Sequence, residues 1–129
     1  MTDSLFRLLY VDDDADLREI GQFALSLHPA LEVRTVASAD EALQLIDGGH
    51  WRPDGLLLDV MMPLMDGPTL LAEIRRRSDC AHIPAVFITA RGKQGRGDLL
   101  VDTNAVAVLA KPFDPMTLAA QLHDLLRAA

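Results

Sequence analysis

The sequence lacks the features of an extracellular, membrane or nucleic-acid-binding protein. It holds one cysteine among 129 residues, so no disulfide forms within the chain and a reducing compartment is favoured. No apolar run approaches the ~18 residues of a membrane span, and the polar start lacks the cationic segment of a signal peptide. The net charge of −7 argues against direct binding to nucleic acid. We therefore expect a soluble cytoplasmic protein.

Apolar residues, by contrast, are plentiful. They make up 50% of the sequence, enough for one packed core without disulfides or metals, so we expect one domain over residues 1–129. An unbroken apolar run leads into Asp59, and turn-forming residues follow at Pro63 and at 66–67. Consecutive apolar positions suit a strand that is buried on both faces of a parallel sheet. Asp59 would then end that strand at the edge where open α/β sheets bind ligands.

The rest of the chain alternates between strand and helix patterns. Predicted strands cover 5–11, 31–36, 55–59, 84–89 and 106–110. Predicted helices cover 15–28, 39–47 and 68–78, with later ones starting near 98 and at 115. In the first helix, the residues expected to face inward are Leu17, Ile20, Gly21, Ala24 and Leu25. This alternation predicts a doubly wound α/β domain, with helices on both faces of a parallel sheet.

Polar residues mark where the predicted helices begin. The candidate N-caps are Asp14, Ser38, Asp66 and Asp114. Glu41 lies three residues after Ser38 and completes a capping box, and Pro115 fits the first helical position after Asp114. The arginines at 75–77 fall in the last turn of the third helix. There we expect them to lie in solvent and complement the helix dipole.

Polar side chains that can do chemistry come at or just after the predicted strand ends: Asp12, Asp13, Asp59, Thr89 and Lys111. Because parallel strands end at one edge of a sheet, these residues should meet there. Clustered carboxylates must take up a proton, move apart or bind a cation. Oxygen ligands suit a hard ion, and Mg²⁺ is the usual one where phosphates are handled. With a hydroxyl and an ammonium group opposite, the set fits an aspartyl nucleophile that receives a phosphoryl group.

Four motifs, in this order and spacing, resemble those of receiver domains of two-component response regulators. They are Val-Asp-Asp-Asp at 11–14, the stretch 59–67, Ile-Thr-Ala at 88–90 and Lys-Pro-Phe at 111–113. The resemblance spans nearly the whole chain and implies the flavodoxin-like sheet of that family, with strand order 2-1-3-4-5. It implies a single receiver domain without an output domain, similar to chemotaxis regulators. Such a domain is a phosphoryl-accepting signalling switch, not an enzyme.

The same resemblance assigns roles to residues. Asp59 would be phosphorylated by a histidine kinase or a histidine phosphotransfer protein. Mg²⁺ would be held by the carboxylates of Asp12, Asp13 and Asp59 and by the backbone carbonyl of Met61, with Asp12 acting directly or through water. Thr89 would contact the phosphoryl group, and Lys111 would pair with it beside a peptide bond that is often cis. Output would come through binding to a protein target or through onward phosphotransfer, in a monomer or a phosphorylation-linked dimer.

Three places depart from the family pattern. Val108 stands where many receivers carry a Tyr or Phe that turns inward on activation, so an aromatic switch is excluded there. Asn104 replaces a common glycine, a mild change because asparagine tolerates the left-handed conformation. Residues 91–97 are glycine-rich where a helix normally begins, so the segment is either mobile or an ordered loop. Its basic residues either meet an acidic partner or lie in solvent: Arg91, Lys93 and Arg96.

Other interpretations of the same residues stay open. Taken singly, the acids at 12–14 fit a helix cap, Asp59 a turn and Lys111 a solvated surface position. An aspartyl phosphatase of the haloacid-dehalogenase type also places its nucleophile after a strand. The second aspartate that such enzymes carry two residues later is Met61 in this chain. A binding module that works without phosphorylation is the remaining alternative, although both the acceptor and the lysine are present.

Overall fold

Strands and helices alternate through the chain in the computed structural model, which describes residues 5–90 and 96–129. The strands are β1 (Phe6–Val11), β2 (Leu31–Val36), β3 (Gly55–Asp59), β4 (Ala85–Thr89) and β5 (Ala107–Ala110). The helices are α1 (Ala15–Ser26), α2 (Ala39–Asp47), α3 (Gly67–Arg75), α4 (Arg96–Thr103) and α5 (Leu118–Arg127). A short 3-10 helix at Ser78–Cys80 follows α3.

The strands form one parallel sheet in the order β2-β1-β3-β4-β5, so the predicted doubly wound fold is confirmed. The middle strand, β3, is buried over its whole length, as its unbroken apolar run predicted. In the register of the sheet, Val11 pairs with Leu58 and Asp59 pairs with Ile88. The carboxyl ends of β1, β3 and β4 therefore lie side by side.

Successive strand residues divide the core between the two faces of the sheet, because strand side chains alternate in direction. On one face, apolar residues pack with α2 and α3, and the strands contribute Leu9, Val11, Leu56, Leu58, Ala85 and Phe87. On the other face they pack with α1 and α5, and the strands contribute Leu8, Tyr10, Leu31, Leu57, Val86 and Ile88. Among the residues described, no helix is long and apolar enough to cross a membrane.

The inward face of α1 is narrower than predicted. Gly21, Ala24 and Leu25 are buried and Leu17 is partly buried, but Ile20 is 46% exposed. The prediction for Ile20 is therefore wrong. At about 3.6 residues per turn, Ile20 stands roughly a quarter turn away from the middle of the buried stripe.

The predicted helix starts are correct at α1, α2 and α3 and wrong at α5. Asp14 and Asp66 accept backbone hydrogen bonds as N-caps of α1 and α3. Ser38 caps α2, but Glu41 accepts from Ala37 N, one residue before the cap, instead of closing the capping box. Asp114 caps a turn in which its carbonyl accepts from the amides of residues 117 and 118, so α5 begins only at 118.

Three arginines lie at the end of α3, at 75–77. They are not simply solvated, which corrects the prediction for them. Arg75 donates to the carbonyls of Thr103 and Asn104 and so ties α3 to the connection between α4 and β5. Arg77 forms two hydrogen bonds with Asp47, at 2.7 and 2.8 Å, and so joins the ends of α2 and α3. Only Arg76, paired with a glutamate on its own helix, fits the predicted solvated end.

The connection before β5 also bears on two predictions. Asn104 has φ of 55°, so it adopts the left-handed conformation that asparagine tolerates. Helix α4 starts at residue 96, slightly earlier than predicted. The predictions for the glycine-rich segment and for the side chains of Arg91, Lys93 and Arg96 lie outside the described residues.

Candidate functional site

Three carboxylates lie together at the carboxyl end of the sheet. Asp12 and Asp13 follow β1, and Asp59 ends the neighbouring strand β3. One oxygen atom from each lies within 4.8 Å of the other two. Asp12 and Asp59 are buried, whereas Asp13 is exposed. A cluster of oxygen ligands that is open to solvent on one side fits a hard divalent cation that keeps some of its water.

Asp12 is fully buried and held by donors on several sides. Its Oδ2 accepts hydrogen bonds from the Tyr10 hydroxyl at 2.7 Å and from Lys111 Nζ at 3.0 Å. Its Oδ1 accepts from the backbone N–H of Asp14 at 2.9 Å. The Arg18 guanidinium donates to the backbone carbonyl of Asp12 at 2.7 Å. The carboxylate is therefore fixed in one orientation before any ligand arrives.

Asp59 shares the ammonium group of Lys111 with Asp12. Its Oδ1 lies 3.3 Å from Lys111 Nζ and 3.3 Å from the backbone nitrogen of Met61, which donates to it. Lys111 comes directly after β5, two strands away from β3, and its long side chain crosses the sheet edge to reach the acids. The largely buried ammonium group of Lys111 therefore faces the cluster of three carboxylates.

Burial and crowding change the proton affinities at this site. Burial, with the charge of Asp12 second, raises the pKa of Asp59 to about 7, although Lys111 opposes the shift. Burial disfavours the charge on Lys111, but its hydrogen bond to Asp12 and the two carboxylate charges outweigh that effect and raise the lysine pKa. Burial and the hydrogen bond to Asp12 also raise the pKa of Tyr10. Without a cation, the site is therefore an electrostatically strained cluster.

Thr89 and Met61 occupy the same edge of the sheet. Thr89 is buried at the end of β4, one residue beyond the partner of Asp59 in the sheet register. The Thr89 carbonyl accepts from the backbone N–H of Lys111 at 2.8 Å. Met61 is 56% exposed in the loop after β3. The Lys111–Pro112 peptide bond is cis, as the resemblance implied.

The loop after β3 is folded back tightly onto the strand end. Val60 N donates to Ile88 O, and Gly67 N donates to Val60 O at 3.0 Å. A Cβ atom on Gly67 would lie 2.3 Å from the backbone oxygen of Asp59, so only glycine fits. The glycine that opens α3 therefore lets the loop close beneath Asp59.

Sequence reasoning missed two residues that shape the site, Tyr10 and Gly21. Tyr10 stands two residues before Asp12 on a strand, so their side chains share a face of the sheet. Gly21 interrupts α1 at the point that faces the Tyr10 ring. A tyrosine two residues before an expected ligand, and a glycine inside a helix, are the signals that could have revealed them.

Comparison with known proteins identifies the family. The profile of response regulator receiver domains matches residues 8–123. The chain is a response regulator receiver domain. The response regulator Rre1 of Synechocystis is 37% identical over 119 residues, which cover 92% of this chain and 51% of that protein. The transcriptional regulatory protein CpxR homolog of Haemophilus influenzae is 36% identical over 121 residues, 94% of this chain and 50% of that protein.

A solved structure supports the same assignment for this receiver. The chemotaxis protein CheY4 of Vibrio cholerae superposes with a TM-score of 0.85 at 28% identity, covering 95% of this chain and 100% of that one. The curated relatives are longer, and the receiver spans about half their length. As a receiver domain, the chain is a phosphoryl-accepting switch of two-component signalling. Its acidic triad is typical of the cation site of such domains.

Proposed function

We propose that Asp59 accepts the phosphoryl group, with Mg²⁺ bound beside it and with a phosphohistidine of a kinase or phosphotransfer protein as the donor. The observation that carries this assignment is the position of Lys111 Nζ, 3.3 Å from Asp59 Oδ1 and 3.0 Å from Asp12 Oδ2. An ammonium group that is already held next to the acceptor is placed to pair with a phosphoryl oxygen.

The carboxylates of Asp12, Asp13 and Asp59, which lie together, would hold the cation, and the main-chain carbonyl of Met61 would complete the set. When bound, Mg²⁺ supplies positive charge that offsets both the crowded carboxylates and the incoming phosphoryl oxygens. The charge of Mg²⁺ would also favour the ionised form of Asp59, whose pKa is raised and which must be ionised to act as a nucleophile.

The transfer itself is an in-line displacement. The contacts of Asp59 with Met61 and Lys111 both use Oδ1, so we assign Oδ2 as the attacking oxygen. An oxygen–phosphorus bond forms as the phosphorus–nitrogen bond of the donor breaks, and the electron pair leaves with the imidazole nitrogen. Lys111 then balances charge on the phosphoryl group, and Thr89 offers its hydroxyl from the end of β4.

The output of the receiver is binding to a protein target or onward phosphotransfer to a histidine. Val108 favours onward transfer, because the aromatic ring that many receivers turn inward at this position is absent. A phosphorylated form that binds a target far more tightly than the free form would contradict this choice. That the chain is a single domain without an output domain stays a prediction.

The proposed acceptor is tested by intact-mass measurement after incubation with a small phosphodonor, with and without Mg²⁺. We expect one phosphoryl adduct that requires Mg²⁺ and is absent in Asp59→Asn. Asp66→Asn is the matched control, because Asp66 is an exposed acid nearby and asparagine caps a helix as well as aspartate does. An adduct that persists in Asp59→Asn would move the acceptor elsewhere.

Two further outcomes separate the alternatives. No adduct on a folded protein that binds Mg²⁺ would favour a binding module that works without phosphorylation. Sustained release of phosphate from a generic phosphomonoester would favour the aspartyl phosphatase. We expect neither, because both the acceptor and the lysine are in place and Met61 supplies no second carboxylate.

A further inference from the structure

Tyr10 contacts the acidic cluster from the hydrophobic core of the protein. It is the only tyrosine in the sequence, and it is fully buried on β1 among the residues that pack against α1 and α5. Its hydroxyl donates to Asp12 Oδ2 at 2.7 Å. This is a short, charge-assisted hydrogen bond between two fully buried groups, a type that is stronger than a neutral one.

The hydrogen bonds of Asp12 show what the phenol contributes. Oδ2 receives the Tyr10 hydroxyl and Lys111 Nζ, and Oδ1 receives the backbone N–H of Asp14. A carboxylate offers about four acceptor positions, two on each oxygen. Oδ2 is therefore saturated, and Oδ1 keeps one position that can face a cation or its bound water.

The backbone of α1 is adapted to the Tyr10 ring. A Cβ atom on Gly21 would lie 2.6 Å from Cε2 of Tyr10 and 3.2 Å from Cδ2. Glycine inside a helix costs roughly 1 kcal/mol relative to alanine. The helix bears this cost at a position where a methyl group would push the Tyr10 ring, and with it the hydroxyl, away from Asp12.

We propose that Tyr10 is a positioning residue of the cation site: its hydroxyl fixes the Asp12 carboxylate so that Oδ1 faces the ion, and Gly21 makes room for its ring. This inference rests on the proposed function, because it concerns the same site. Tyr10 touches neither the ion nor the phosphoryl group and acts only through Asp12.

The hydroxyl has a second consequence within the same proposal. Lys111 Nζ is shared between Asp12 and Asp59, and in the proposed function it pairs with the phosphoryl group once that group is attached. Asp12 Oδ2 is buried, and it would lose its charged partner at that moment. The Tyr10 hydroxyl stays on Oδ2 and keeps it hydrogen-bonded, which lowers the cost of releasing the lysine.

The test is the Mg²⁺ affinity of the unphosphorylated protein, measured by calorimetry for the wild type and for Tyr10→Phe. Phenylalanine keeps the ring and removes only the donor. We expect about tenfold weaker Mg²⁺ binding, the effect usual for a lost partner of a metal ligand. Weakening of less than fivefold, or tighter binding, would overturn the proposal. A wild type that does not bind Mg²⁺ would instead overturn the proposed cation site.

Gly21→Ala separates positioning from stability. In the wild-type background, the added methyl group should displace the ring and weaken Mg²⁺ binding. In the Tyr10→Phe background, it should leave the Mg²⁺ affinity unchanged, although it still destabilises the fold. A further loss of affinity in the double variant would show that Gly21 acts by another route and contradict its role here.

A spectroscopic measurement keeps the proposal testable should Tyr10→Phe fail to fold. Because the sequence holds one tyrosine, 3-fluorotyrosine labelling gives a single fluorine resonance, and it keeps the hydroxyl and the ring. We expect this resonance to move during a Mg²⁺ titration and to saturate at the calorimetric affinity. A resonance that stays fixed while calorimetry shows binding would overturn the proposal.

Discussion

The two ends of the parallel sheet treat charge in opposite ways. At the carboxyl end, Asp12 and Asp59 are buried together and share the single ammonium group of Lys111. At the opposite end, where the helices finish, opposite charges pair near solvent. The exposed pairs there are Arg77 with Asp47 and Arg52 with Asp79. The exposed ion pairs at the opposite end link segments of the chain with little effect on stability. The carboxyl end instead concentrates like charges where phosphoryl chemistry uses them.

The largest effect should come from removing the shared cation. Lys111→Met leaves two buried carboxylates without their counter-charge, and we expect a loss of about 3 kcal/mol in the free energy of unfolding. Denaturant unfolding of the metal-free protein measures it. Arg52→Met breaks an exposed pair at the other end and should change stability by less than about 0.5 kcal/mol. Equal losses in the two variants would remove the contrast between the ends.

A second comparison uses one glycine from each end. Gly67→Ala brings a methyl group against the backbone oxygen of Asp59, and overpacking of this kind costs about 2 kcal/mol. It should also slow phosphorylation, because the loop beneath the acceptor shifts. Gly49 has φ of 77° with no atom near its Cβ position, so Gly49→Ala adds only backbone strain, about 1 kcal/mol. A slower phosphorylation rate in Gly49→Ala would contradict this local explanation.

The third prediction concerns pH and the metal-free protein. The pKa of Asp59 rises to about 7 on folding, so between pH 4 and 7 the folded state holds a proton that the unfolded state releases. Stability therefore falls as the pH rises through this window. Asp59→Asn should remove the penalty and gain on the order of 2 kcal/mol at pH 7.5, with the gain shrinking towards pH 4.

Unfolding curves at several pH values, with a chelator present, measure this gain. The exposed Asp13→Asn variant is the matched control and should show a smaller gain. A pH-independent difference between Asp59→Asn and the wild type would contradict the raised pKa.

The smallest effect should come from the exposed pair that joins α2 and α3. The hydrogen bond from Arg77 holds the pKa of Asp47 below its ordinary value, so the stabilisation is present above the ordinary carboxyl pKa and is lost as the pH falls. Arg77→Met should lower the thermal midpoint slightly at neutral pH and not at all in strong acid. Arg76→Met, within a single helix, is the control. A loss that persists in strong acid would show that packing of the arginine side chain or its hydrogen bond to the Glu73 carbonyl, and not its pairing with Asp47, is responsible.

The sequence predicted the fold well because strand and helix periodicity carry most of the information. The run before Asp59 is typical of a doubly buried strand, and Asp14 and Asp66 are residue types that cap helices with their own side chains. The start of α5 was predicted too early, because Asp114 caps a turn with the same local chemistry as a helix. Ile20 was wrongly predicted to face inward, because the spacing of apolar residues along a helix does not indicate how wide the buried face is.

Which residues meet at the site could also be predicted from the sequence, because residues at the ends of parallel strands converge. The roles of Gly21 and Arg77 were not, because each depends on a partner from another segment of the chain. No local pattern says that a helical glycine faces a tyrosine ring, or that an arginine reaches a neighbouring helix. Those contacts become visible only once the strands and helices are placed in space.

The bridge made by Lys111 has a consequence for how the protein folds. About fifty residues of chain separate Asp12 from Asp59, and about fifty more separate Asp59 from Lys111, so no short segment can bring these three groups together. Contacts between such distant positions form only after the intervening loops have been closed. Acquisition of a phosphoryl group is therefore a property of the completed sheet. We therefore expect phosphorylation of natively folded chains only, and not of nascent, misfolded or partly unfolded ones.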